Sequence, residues 1–157
     1  MLHDATTDTS RSWITTNDAA ANDDWHDVHR RLCSIATTRC ELDADEAALL
    51  VRAQDERVWR AFGCGSMIAY MQRVLHYQAH SAAERLRVAR ALVDLPRMHD
   101  ALAKADLCWS GARALSRVAT TDTEAAWLER ARGKVVHEIE AMVAGRKRGS
   151  GRTRTRC

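Results

Sequence analysis

Residues 83–96 read AERLRVARALVDLP, and the reading of this stretch decides the fold class. Ala82, Leu86, Ala89 and Val93 recur at i, i+4, i+7 and i+11, the period of one helical face and not the alternation of a strand. Three arginines are threaded between them. On a wheel anchored at Leu86, Arg87 and Arg90 fall on one flank with Ala83, and Arg85 falls on the other. The helix must stop at Asp94–Leu95, because the residue before Pro96 is disfavoured in the α region. Pro96, the only proline, then suits the first turn of a following helix, where its missing N–H has no partner to lose.

The same period extends in both directions. Upstream, Trp25, Val28, Leu32 and Ile35 share a face at i, i+3, i+7 and i+10, and a break is expected near TTRCELD. A new helix should start at DADE, with Asp43 as cap and Glu46 reaching back. It should carry Ala47, Leu50, Val51, Val58 and Phe62 inward until Gly63 and Gly65 end it. SMIAYMQRVLHY predicts a short helix capped by Ser66, with Met67, Met71 and Val74 inward, and HYQAH predicts a turn. Downstream, a helix runs from Pro96 to about Lys104, ADLC is a turn, and WSGARALSRVA is a helix despite Gly111. TDTE offers another start, with Thr121 as cap and Glu124 at N3 ahead of Ala125, Leu128 and Ala131. A last helix carries Val135, Ile139, Met142 and Val143, and Gly145 closes it.

The expectation is therefore an all-α protein: a single multi-helix domain of about seven helices with a helix-turn-helix-like centre. Composition agrees, with one proline, seven glycines and 46% hydrophobic residues in 157. The expected organisation is a disordered tail over 1–20, a helical domain over 21–144 and a basic tail over 145–157. Trp13, Trp25, Trp59, Trp109 and Trp127 make up five of the eight aromatics, and the last four fall in helical patterns as packing anchors.

Charge is unevenly spread. Residues 1–46 hold 4 basic and 10 acidic side chains, whereas residues 47–157 hold 20 basic and 11 acidic. Six cations sit without an acid in the final GRKRGSGRTRTRC. This balance raises nucleic acid as a partner. No apolar run approaches the ~20 residues a membrane span needs, and the N-terminus has no basic region followed by an apolar one. Five cysteines without a CxxC pair are read as reduced thiols of a cytoplasmic protein.

Catalytic signatures are missing. His26 and His29, and His76 and His80, could each share a face, but no third ligand accompanies either pair, so no metal and no other cofactor is expected. Cys64 in GCG has no local base, and neither GxGxxG nor GxxxxGK[ST] occurs.

Residues 66–93 have the layout of a helix-turn-helix whose second helix bears the arginines. Arg87 and Arg90 are the pair most available to phosphates, with Arg73 and His80 able to add contacts and Arg85 on the far flank. A second helix pair spans Pro96–Val118, with Arg113 and Arg117 at i, i+4. Trp109 and Leu115 make much of that later helix core.

Three pieces, RLRVARAL-x-x-LP, ALA-x-x-x-L-x-W-S-x-A-R-A-L and AT-x-x-TE, occur in that order over about residues 41–144. In this they resemble the N-terminal domain of many HNH endonuclease-type proteins, the domain-of-unknown-function family two-two-two or thirteen-E-twelve repeat family. The central block is also similar in layout to the DNA-binding region of ParB-type partition proteins. The resemblance implies a module that binds or targets double-stranded DNA. The candidate contacts are Arg73, His80, Arg85, Arg87, Arg90, Arg146, Lys147 and Arg148. The alternative is a helical protein-interaction or dimerisation module, possible as a homodimer, or a nonfunctional truncated nuclease fragment. Relatives continue into an HNH domain whose histidines do not occur here, so enzymatic activity is not expected of this chain alone. Two further departures are local: in the turn His76 and Gln78 stand where relatives often have Gly and Ser, and before WSGARAL Cys108 stands for a frequent Ser cap.

Overall fold

The computed structural model describes residues 21–149, with side chains from Asp24 onward. The expected tail 1–20 with Trp13, and residues 150–157 of the basic tail, lie outside the described residues. Seven α-helices and one 3₁₀ turn make up the secondary structure, with no strand among the described residues. They are α1 (Ala21–Asp55), α2 (Met67–Arg73), α3 (Ala79–Val93), α4 (Pro96–Ala103), α5 (Trp109–Leu115), α6 (Glu124–Ala131) and α7 (Val136–Val143), with the 3₁₀ turn at Val58–Arg60. The chain divides into two units, one ending at Ser34 and one beginning at Ile35.

In the first unit, Trp25, Val28 and Leu32 are all exposed, so Trp25 does not serve as the packing anchor its helical pattern suggested. The second unit holds the core. Met67 and Met71 of α2, Leu86, Val88 and Leu92 of α3, Met98 and Leu102 of α4, Leu115 of α5, Trp127 of α6 and Ile139 of α7 are buried together. Ala44, Ala47 and Leu50 join them from α1. Helix α2 packs on α3, α3 on α4, α4 on both α5 and α6, and α5 on α7.

The break expected at TTRCELD does not occur: α1 runs unbroken through it. That segment has no glycine or proline, and its threonines cost only a few tenths of a kcal/mol each in a helix, about 0.7 at most. Asp43 and Glu46 are mid-helix and cap nothing; their carboxylates turn to Arg85 instead. The helix ends at Asp55, earlier than expected, where Arg57 takes a left-handed φ of 55°. Phe62, past that turn, is half exposed and not in the core.

Other starts and stops follow local chemistry. The Ser66 hydroxyl accepts the Ala69 N–H at 3.1 Å and opens α2. Pro96 opens α4 at its first turn. Gly145 closes α7 with a φ of 70°. On α3 the core face is Ala82, Leu86, Val88, Ala89 and Leu92; Val93 is exposed, because the chain turns toward Pro96 and buries Leu95 in its place.

The TDTE start also differs. Helix α6 opens at Glu124 after Thr123, while the Thr121 hydroxyl donates to the Asp94 carbonyl at 3.0 Å. The buried Glu124 carboxylate accepts the Met98 N–H at 3.3 Å, so it satisfies the amino end of α4 and not that of its own helix. The inward face of α6 is accordingly Glu124, Trp127 and Ala131, with Ala125 outside.

Candidate nucleic-acid interface

The arginines of α3 divide as their helical phase requires. Arg85 lies in a groove lined by Arg39, Leu42, Asp43, Glu46 and Tyr77. Its guanidinium donates to Asp43 Oδ1 at 2.6 Å and to Glu46 Oε2, and it stacks 4.3 Å from the Trp109 ring centroid. Burial works against its charge, but the Asp43 hydrogen bond and the two carboxylates outweigh it and raise its pKa. Tyr77 completes the cluster by donating its hydroxyl to Glu46 Oε1. Burial, and then that hydrogen bond, push the Tyr77 pKa up to about 12. Two carboxylates thus neutralise one guanidinium. Arg85 ties α3 to α1.

Arg87 and Arg90 lie in another open groove, of about 660 Å³, between α3 and the end of α5. Arg117 and Arg148 line it as well, so four arginines border the groove, with Asp94 the acid among its lining residues. Arg87 forms a two-pronged pair with Glu84, Nε to Oε2 at 3.0 Å and Nη2 to Oε1 at 2.9 Å. It also donates to the Arg113 carbonyl at 3.1 Å and the Ser116 hydroxyl at 3.3 Å. Arg117 shares the same carboxylate at 2.8 Å. The Arg87 hydrogen bond leads in holding the Glu84 carboxyl down at about 2, and burial opposes it only in part.

Arg90 differs in its partner. Its Nε and Nη2 meet the neutral Gln54 side-chain oxygen at 3.0 and 2.7 Å, which orients the guanidinium without cancelling its charge. Arg148 is exposed, on a segment tied down by the Gly149 N–H to the Val118 carbonyl at 2.8 Å. The side chains lining the groove carry more positive than negative charge.

Of the residues singled out in the sequence, the fold brings Arg87, Arg90 and Arg148 into one groove and Arg85 into another. Arg73 at the end of α2 and His80 in the first turn of α3 are exposed and line neither. Arg146 donates to the Met142 carbonyl at 3.1 Å, and Lys147 is exposed. Arg117, noted in the sequence as the i+4 companion of Arg113 but not among the candidate contacts, lines the groove, while Arg113 pairs with Glu140 at 2.8 Å.

Among the described residues, no three His, Cys, Asp or Glu side chains gather as metal ligands, and Cys33, Cys40, Cys64 and Cys108 are free thiols. No described helix is long and apolar enough to cross a membrane. No protein-family model, curated protein or solved structure matches the chain.

Proposed function

We propose that this chain is the DNA-binding or targeting module of a cytoplasmic HNH endonuclease-like protein, and that it grips the phosphate backbone of duplex DNA through the α3–α5 groove. The placement of Arg87, Arg90, Arg117 and Arg148 along one open groove carries this reading. Guanidinium groups match phosphate oxygens in a two-pronged geometry, and backbone contacts of this kind position a protein without reading sequence. The motif order over residues 41–144 and the α2–turn–α3 layout support the same reading. Arg85 is left outside the contact set, because two carboxylates already hold it. Lys147, exposed and next to Arg148 in the chain, adds a further cation.

Such binding is salt-dependent, with log K falling against log salt at a slope of about −0.9 per neutralised phosphate. Arg90→Gln removes a cation whose partner is neutral, so it leaves no carboxylate bare. It should weaken binding to duplexes of unrelated sequence alike and make the slope shallower by about one. Removing residues 150–157 should lower affinity yet preserve the Arg90 effect. Equal binding by the Arg90→Gln chain across the titration would exclude the groove as the contact surface.

A further inference from the structure

Six large apolar side chains of α1 face solvent: Trp25, Val28, Leu32, Ile35, Leu42 and Leu49, each 49–61% exposed. With Arg39 and Glu46 they occupy positions 25, 28, 32, 35, 39, 42, 46 and 49, alternating steps of three and four that define the a and d sites of a heptad repeat. In the second unit this stripe is separate from the face of α1 that packs on the core. Cys40, Ala44, Ala47 and Val51 turn inward, while Ile35, Leu42 and Leu49 do not. A helix that is apolar on two faces and covered on one has an unmet packing demand.

We infer that α1 pairs with the α1 of a second copy of this chain, antiparallel, about a two-fold axis near Thr37. Charge selects both the occupant and the direction. A parallel pair in register would stack Arg39 on Arg39 and Glu46 on Glu46 inside the seam, where like charges repel. The antiparallel pair sets Trp25 against Leu49 of the second copy and Leu32 against its Leu42. The aliphatic stem of Arg39 lies beside Ile35 of the other copy. Glu46 falls beside Val28 and keeps the bonds it already makes to Tyr77 and Arg85. The same register brings Arg31 beside Asp45 of the second copy, twice by symmetry. Within its own chain Arg31 is 79% exposed and reaches Asp27 only at 3.9 Å, which leaves it available for that pairing.

Sedimentation equilibrium of the full chain, without nucleic acid, tests this. A concentration-dependent dimer is expected. Leu42→Lys and, separately, Leu32→Lys should each raise the dissociation constant about tenfold or more, with an unchanged helical circular dichroism spectrum because both sites are exposed. Asp45→Arg should weaken association several-fold, and adding Arg31→Asp should restore it. A chain that stays monomeric, an association indifferent to the lysine substitutions, or a double reversal that recovers nothing would each overturn the antiparallel self-pairing. The outcome is independent of DNA binding, so either idea can fail alone.

Discussion

Glu84 is the residue on which the groove's charge turns. It neutralises part of Arg87 and Arg117 and, in doing so, holds both side chains at the groove wall. Because its folded pKa is depressed to about 2, the stability it contributes is fully present above the ordinary carboxylate range. That stability is lost as pH falls through about 2. Glu84→Gln should therefore flatten the acid limb of the stability profile between about pH 4.5 and about 2. At neutral pH it should cost about 1–3 kcal/mol in chemical denaturation. The same substitution removes a negative charge next to the proposed phosphate site, so DNA affinity should rise, roughly three- to tenfold. Lower stability with tighter binding is a pairing that a purely structural glutamate would not produce. The Glu84–Arg87 pair lies at i, i+3 and is within reach of local spacing, but the longer-range pairs are not. The Glu84–Arg117 pair spans 33 residues and the Arg85–Asp43 pair 42, and spacing rules see only neighbours within a turn or two. The DADE segment illustrates the cost: its acids have the pattern of a cap, and only the fold reveals that Asp43 and Glu46 face Arg85.

At the scale of the element, the helices themselves were legible and their ends less so. Periodicity on α2, α3 and α7 and the breakers Pro96 and Gly145 placed those elements, because each signal acts within a few residues, although Val135, read as part of the last helix's face, precedes α7 and is exposed. The continuity of α1 was hidden, since a polar stretch without glycine or proline is compatible with either a helix or a loop. The turn between α2 and α3 is the most strained point of the centre. His76 sits at a φ of 60°, and Gln78 precedes α3 without a side-chain cap hydrogen bond. A non-glycine residue in the left-handed region costs about 1–2 kcal/mol. His76→Gly should therefore stabilise the chain by up to about 1 kcal/mol once the looser unfolded chain is counted, read as a higher urea midpoint at unchanged slope. Gly111 on α5 carries the opposite expectation. A Cβ there would meet Leu107 Cδ1 at 2.6 Å and Ile139 Cδ1 at 3.4 Å, and both neighbours are buried. Gly111→Ala gains about 1 kcal/mol of helix propensity but overpacks against Leu107, in the turn before α5, by about 1–3 kcal/mol. The expected net result is a lower melting temperature.

For the whole molecule, the all-α architecture follows from composition and period, and the uneven charge pointed to a polyanion before any geometry was available. What the fold adds is selection. It neutralises Arg85 internally, gathers Arg87, Arg90, Arg117 and Arg148 into one groove, and leaves an apolar seam on α1. The central claim is that this groove binds phosphate backbone, and a salt titration of duplex binding by the intact chain and by its Arg90→Gln variant tests it most directly. Measurable binding is expected at low salt, with a steep linear loss of log K with log salt and a slope shallower by about one in the variant whatever the duplex sequence. Absence of binding at low salt, or identical slopes for the two proteins, would contradict it.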